Sequence, residues 1–370
     1  MGSLVLEYLF SNSRSIMSTV QTSSAEHASP ATERTSSTRR PSFTFGEGTM
    51  QSVIDLFRSD SLRDRPRWTS GFPLLDESIS TFTSGLGFFG SMENAGKTNF
   101  MQTYYLGILD NTPGAIVIDA VLDDSRDQRI RTIAANIARL SVQDISIPGL
   151  MPPEDPRHAR RKWAYEQIIA RYNKRLALID NTCLSGKGGQ LAHLLQYLGD
   201  VRNDNPEVPI WVNIDAFDDL QLPEANTEND FIAHASGALK TASVQHDLAI
   251  LCSKHMNKGE GRGAKTDALR GAGRLKYDAT VILMGHNDVG ENGQSADIFF
   301  ERDDKPYGDK SPIFEVSVKK NKAGGFRGTL CYRQFPELYA CEELNAQDQE
   351  TYRRDIQQLI TQSRAQKERR

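Results

Sequence analysis

An apolar, strand-like run at Leu86–Phe89 passes through Gly90-Ser91-Met92-Glu93-Asn94-Ala95 into Gly96-Lys97-Thr98 and then into a helix-like segment. This feature constrains the fold most, because a strand that turns through Gly-Lys-Thr into a helix is a phosphate-binding device. Backbone N–H groups of such a turn converge on one point, the lysine carries charge to the β- and γ-phosphates, and the threonine hydroxyl can hold Mg²⁺. The following helix presents its positive end. The segment departs from G-x-x-x-x-G-K-[ST] at one position: Ser91 stands where the first glycine is expected, and the glycine lies one residue earlier, at Gly90. A glycine-containing turn with an exposed lysine is the bland alternative that the motif alone leaves open.

The chain has 370 residues, 38% hydrophobic and 25% charged, enough to bury one large core plus a tail. A net charge of −4 argues against a general nucleic-acid coat but allows a locally basic channel. Cys183, Cys252, Cys331 and Cys341 are far apart and lack metal-ligand spacing, so they read as reduced thiols of a cytoplasmic protein. No apolar run reaches membrane-spanning length and no signal-peptide pattern is evident, so no membrane partner is expected.

Residues 1–46 are rich in Ser, Thr and Arg without sustained apolar periodicity and are expected to form a disordered arm. An organellar transit peptide is the minor alternative, weakened by Glu7, Glu26 and Glu33. Within 47–65, Met50, Val53, Ile54 and Phe57 recur at i, i+3, i+4, i+7 and predict a short amphipathic helix over 48–59, docking on its own domain or on a neighbouring subunit. Residues 66–345 are expected to form the main domain, and 346–370 a charged C-terminal helix or tail.

Within the main domain, strands are expected at Leu86–Phe89, Ala115–Ile118, Leu176–Ile179, Ile210–Ile214, Ala249–Cys252, Thr280–Met284, Phe314–Val318 and Thr329–Tyr332. Helices fit at Thr98–Leu109, Arg126–Leu140, Pro156–Asn173, Gln190–Asp204, Asn229–Gln245 and Thr351–Gln366. Alternation of this kind predicts an α/β fold, a mostly parallel twisted sheet flanked by helices, with a β-rich C-terminal end.

Ligands of open α/β sheets collect at the carboxyl ends of the strands. Ile210–Ile214 closes in Asp215, which either orders Mg²⁺ and its water or caps a turn. The second strand runs out to Asp123 and Asp124; Asp123 is the choice for polarising an attacking water, unless these residues, in competition with Ser125, start the next helix. Another strand ends in Ser253-Lys254-His255, delivering a hydrogen-bonding side chain to the same rim. Two basic segments suit an anion: Lys258-Gly259-Glu260-Gly261-Arg262 with Arg270-Gly271-Ala272-Gly273-Arg274, and Lys319-Lys320-Asn321-Lys322 before Gly324-Gly325. Either could be a solvated turn.

From about residue 66 to 340 the chain resembles the RecA-type ATPase domain of DnaB-like replicative hexameric helicases, including the helicase half of phage primase-helicases. Trp68-Thr69-Ser70-Gly71-Phe72-Pro73-Leu74-Leu75-Asp76 is similar to the family's opening motif, and Leu178-Ile179-Asp180-Asn181-Thr182 to its Ile-Asp-Asp-Thr strand. Most specific is the run from Asp267 through Leu269-Arg270-Gly271-Ala272-Gly273 to Ile282, similar to the family's Asp-Leu-Arg-(Glu/Gly)-Ser-Gly stretch.

The resemblance implies a RecA-like P-loop NTPase core in which Gly90, Ser91, Asn94, Ala95, Gly96, Lys97 and Thr98 bind ATP, and Thr98 and Asp215 serve Mg²⁺. It implies that Asp123 stands at the catalytic glutamate position and that His255 matches the phage-type phosphate sensor. Lys258, Arg262, Arg270, Gly271, Gly273 and Arg274 fall where the family grips single-stranded DNA, and Lys320 and Lys322 where basic residues reach a neighbour's nucleotide. The implied assembly is a homo-oligomeric ring, expected hexameric, with the 47–65 helix docking on the adjacent protomer and a separate primase or loader as possible partner.

Three departures matter: Ser91 replaces a glycine, Asp123 is one methylene shorter than glutamate, and the arginine finger appears as Lys322 or is displaced to Arg327. A lysine cannot make a guanidinium's bidentate contact, which implies weak activation in trans. The expectation is therefore an ATP-dependent DNA helicase or translocase of DNA replication. The alternative is a RecA-fold recombination mediator or regulatory helicase paralogue that hydrolyses little. A metabolic P-loop kinase lacks any specific sign. The phage-like His255 and the lack of an N-terminal collar tilt the source towards a phage, and so towards the cytoplasm of an infected cell.

Overall fold

Phe88 and Phe89 are adjacent and both wholly buried, yet they serve different cores. Phe88 packs with Ile118, Val212, Leu194 and Leu239, whereas Phe89 packs with Phe100, Tyr104, Phe314 and Tyr332. A strand alternates its side chains between two faces, so a continuous apolar run means a sheet covered on both. Each ring contributes about 1.5–3 kcal/mol by leaving water.

A computed structural model describes residues 68–80, 82–186, 188–257, 262–269, 271–302, 310–322 and 324–368. The expected arm at 1–46 and amphipathic helix within 47–65 lie outside the described residues.

The chain runs α1 (Pro73–Ser78), β1 (Gly85–Ser91), α2 (Lys97–Asn111), β2 (Ile116–Val121), α3 (Arg126–Ala138), α4 (Val142–Ser146) and α5 (Arg157–Tyr172). It continues through β3 (Leu176–Asp180), α6 (Gly189–Asp204), β4 (Ile210–Asp215), α7 (Glu228–Gln245), β5 (Leu248–His255) and α8 (Ala272–Asp278). Then follow β6 (Val281–Asn287), α9 (Asp288–Asn292), β7 (Phe299–Glu301), β8 (Lys310–Asn321), β9 (Thr329–Phe335), β10 (Ala340–Glu343) and α10 (Ala346–Glu368).

The strands form one sheet in the order β10-β9-β8-β6-β1-β5-β4-β2-β3, with β7 paired to β8. From β6 to β3 the pairing is parallel, and β8, β9 and β10 add an antiparallel extension. This is the expected RecA-like α/β core with a β-rich C-terminal end. Helix α2 covers one face through Phe100, Met101, Tyr104 and Tyr105, and α6 and α7 cover the other through Leu191, Leu194, Leu198 and Leu239.

The expected strands and helices are present, with ends moved by a few residues. Not anticipated were the short α1, α4, α8 and α9, and the edge strands β7 and β10. The polar stretch near 285–312 contains the end of β6, α9 and β7, with 303–309 outside the described residues. Among the described residues no helix is long and apolar enough to cross a membrane.

Candidate functional site

Strand β1 ends at Ser91, and the chain turns through Asn94 and Gly96, with left-handed φ of +60° and +95°, to start α2 at Lys97. A Cβ on Gly96 would sit 1.8 Å from Gln334 Nε2, so both the backbone angle and the space demand glycine. Gln334 of β9 donates to the Gly96 carbonyl at 3.0 Å. Asn287, the last residue of β6, donates to the Ala95 carbonyl at 3.2 Å and to Gln334 Oε1 at 3.1 Å. In a trans peptide the N–H points away from the C=O. Holding these two carbonyls therefore turns the N–H groups of Gly96 and Lys97 to the opposite side. First-turn N–H groups have no intrahelical acceptor, which leaves them for an anion.

Gly90 is not part of this turn. It lies within β1, where a Cβ would come within 2.2 Å of Leu269 Cδ2. Its glycine requirement arises from packing, and the expected phosphate contact at Gly90 is corrected accordingly. Ser91 is wholly buried, and its hydroxyl donates to the Met92 carbonyl at 3.0 Å.

The strand register brings the candidate residues to one edge. Ser91 is level with His255, Val121 is level with Asp215, and Val121 is also level with Asp180. Lys97 is only 7% exposed. Burial lowers its pKa, and the nearby carboxylates of Asp215, Asp218, Asp123 and Asp219 oppose that shift. Two of those carboxylates bond elsewhere: Asp215 pairs with Arg129 at 3.0 Å and Asp218 pairs with Lys254. The Lys97 ammonium thus sits in a dry, acidic rim whose closest charges are engaged by other cations.

Asp215 accepts from the Ser253 hydroxyl at 2.6 Å and from Arg129 at 3.0 Å. Burial pushes its carboxyl up, but Arg129, the Ser253 hydrogen bond and Lys97 outweigh that and hold it below the usual range. Asp215 is therefore a fixed anion and not a turn cap. The helix-capping alternatives at the second strand resolve in favour of Ser125, whose hydroxyl accepts from Gln128 N at 3.2 Å. Asp123 is left exposed beside Lys97. His255 is half-buried, with its Nδ1 buried and without a hydrogen-bond partner among the described residues. Thr98, on the first turn of α2, is half-buried.

The basic residues divide differently. Lys258 and Arg270 lie outside the described residues. Arg262 is not a free cation: it pairs with Asp288 and Glu315, each at 3.0 Å. Arg274 is more than half exposed and pairs with Asp278 at 2.9 Å. Gly271, left-handed at φ +65°, precedes α8, and Gly273 is exposed on the first turn of that helix. Lys320 donates to the Lys276 carbonyl, and Lys322 donates to the Tyr277 carbonyl at 3.1 Å. Both stand where antiparallel β8 reaches the start of β6, the sheet edge opposite the one that carries Lys97. Within one copy, the structure does not bring them to the phosphate turn.

Several residues of the rim escaped the sequence reading. Asp218 accepts from the His255 N–H at 3.1 Å and binds the wholly buried Lys254, whose ammonium also lies 5.4 Å over the Phe217 ring. Asp219 has its pKa raised by burial and by Asp123 and Asp218, with His255 opposing. The run Phe217-Asp218-Asp219 directly after a strand end was the available signal. Tyr339 lies in the field of Arg129, Asp215, Asp124 and Asp123, and burial raises its phenol. Asn287, Gln334 and Tyr339 come from the distant antiparallel end and gave no local signal.

No protein-family model matches the chain, and no curated protein does. Among solved structures, an ATPase domain determined on its own superposes with a TM-score of 0.66 at 17% identity, over 80% of this chain and 99% of that one. A DnaB-like replicative helicase, reported with its interactions with primase, gives a TM-score of 0.65 at 17% identity, over 80% of this chain and 68% of that one. The likeness establishes the fold, that of a DnaB-like RecA-type helicase domain.

Proposed function

We propose that the chain is an ATP-hydrolysing DNA helicase or translocase that acts on single-stranded DNA as a ring of copies, in replication. The observation that carries this reading is the meeting of Lys97, Asp215, Asp123 and His255 on one rim beside the Gly96 turn. The turn's N–H groups and Lys97 would bind the ATP phosphates, with Asn94 and Ala95 shaping the loop. Thr98 would hold Mg²⁺ directly and Asp215 through a water, because both Asp215 oxygens already accept hydrogen bonds. The ion neutralises phosphate charge when bound. Among the described residues no three His, Cys, Asp or Glu side chains group as a metal cage, so phosphate oxygens would complete the shell.

Asp123, exposed beside Lys97, would take a proton from the water that attacks the γ-phosphorus. The bond from that phosphorus to the β–γ bridging oxygen breaks, leaving ADP and phosphate. His255 would contact the γ-phosphate while Asp218 holds its backbone. Lys320 and Lys322, on the far sheet edge, could serve only the site of another copy, which is why the reading requires an oligomer, a hexamer by analogy. Arg270 and Arg274 with Gly271 and Gly273 would meet the DNA backbone electrostatically, largely without regard to sequence. A separate primase or loader would complete the machinery, in a cytoplasmic setting.

A second reading, a regulatory paralogue that binds nucleotide for assembly, is favoured by the short Asp123 and by lysine in place of the finger arginine. DNA-stimulated ATPase turnover of the purified chain, together with negative-stain images with ATP analogue and oligonucleotide, separates the two. Rings with stimulated turnover support the helicase. Rings that turn over no ATP support the paralogue.

A further inference from the structure

Asn287 and Asp288 are consecutive, yet they hold two different parts of the molecule. Asn287 grips the phosphate turn through the Ala95 carbonyl at 3.2 Å. Asp288 is 2% exposed and accepts from Asn292 Nδ2 at 2.6 Å, Asp297 N at 2.7 Å and Ile298 N at 2.8 Å. It also pairs with Arg262 at 3.0 Å, and the same guanidinium donates to Glu315 Oε1 at 3.0 Å. Arg262 begins the described stretch 262–269, which leads into Arg270.

The other end of that stretch is also tied to β1. Leu269 packs over Gly90, where a Cβ would lie 2.2 Å from it, and forms a β-bridge with Met256. Met256 N donates to the Ser91 carbonyl at 3.2 Å, and Asn257 N donates to the Ala268 carbonyl at 2.8 Å. The 262–269 stretch is thus fastened at one end to the strand that enters the phosphate turn, and at the other to the residue after the one that holds that turn. Close packing and buried charge pairs transmit displacement between such anchors instead of absorbing it.

We propose that Asn287 and Asp288 are positioning residues that couple nucleotide binding at the phosphate turn to single-stranded DNA binding beside the 262–269 stretch. This rests on the reading of the site given above. Arg262 then acts as an internal anchor of the stretch and not as a DNA contact. By linkage, nucleotide changes DNA affinity by the same factor as DNA changes nucleotide affinity.

The test measures binding of a labelled oligothymidylate to the full chain, with and without Mg²⁺ and a non-hydrolysable ATP analogue, and takes the ratio of the two Kd values. The wild type is expected to give a ratio of about fivefold or more. Asp288→Asn and the conservative Arg262→Lys are expected to bring it within about twofold of one while analogue binding alone stays within about threefold of wild type. Asn287→Ala, which cuts the tie from the other side, lowers the same ratio and keeps the test open if Asp288→Asn fails to fold. Variants that keep the wild-type ratio, or a wild type that binds both ligands with a ratio of one, overturn this inference alone. A wild type that binds neither ligand overturns the reading of the site beneath it.

Discussion

Arg129 lies 3.0 Å from Asp215, with the guanidinium 3% and the carboxylate 4% exposed, and its Nε lies 3.3 Å from the wholly buried Asp119. Asp119 also accepts from Tyr105 at 2.9 Å and Asn213 at 2.5 Å. One cation thus holds a buried carboxylate beneath the sheet edge and another at the rim. Arg129→Ala strands both carboxylates, and removing one partner of a buried ion pair costs about 3–5 kcal/mol. Urea denaturation is expected to show this as a lower midpoint, and an unchanged midpoint would contradict it.

Asp180 accepts from the Thr182 hydroxyl at 2.6 Å, from Thr182 N at 3.1 Å, from Cys183 N at 3.3 Å and from Arg126 at 3.1 Å. Burial pushes its carboxyl up, but the Thr182 and Cys183 hydrogen bonds and Arg126 outweigh this and hold it well below the usual range. A depressed folded pKa adds stability that is present above the unfolded value of about 3.9 and is lost as pH falls through the folded value. Asp180→Asn should therefore lower Tm by a few degrees at neutral pH, and the gap should narrow below about pH 4. A gap that stays constant with pH would show that the charge contributes nothing.

Lys322 bonds to the Tyr277 carbonyl at 3.1 Å, on the sheet edge opposite Lys97. If it serves a neighbour's nucleotide, Lys322→Ala and Lys97→Ala each lose turnover alone, but a mixture of the two regains part of it. The mixture contains interfaces that pair an intact Lys97 with an intact Lys322. Turnover in the mixture that equals the average of the separate variants would place Lys322 outside the chemistry.

Much of this architecture was legible because strands and helices write different periods into sequence. The apolar runs through Phe88-Phe89, Ile210–Ile214 and Leu251-Cys252 announced a doubly covered sheet, and the polar residue after each run pointed to the rim. Short elements were not legible: β10 is four residues long, and α8 sits among glycines that suggest a turn. Helix α10 begins before the expected Thr351 because Asn345 accepts from Asp348 N at 2.9 Å, a cap hidden in polar sequence. The supports of the site were hidden for a different reason. Arg129 is one arginine on a helix, and Gln334 meets Gly96 only through the fold, 238 residues apart in sequence.

The central claim is that the Gly96 turn and Lys97 bind the phosphates of ATP. Titration of the full chain with a fluorescent ATP analogue and Mg²⁺ tests it directly, comparing wild type with Lys97→Ala. Saturable binding by the wild type, weakened about tenfold or more by the substitution, is the predicted result. Equal binding by both proteins, or none by the wild type, would contradict it.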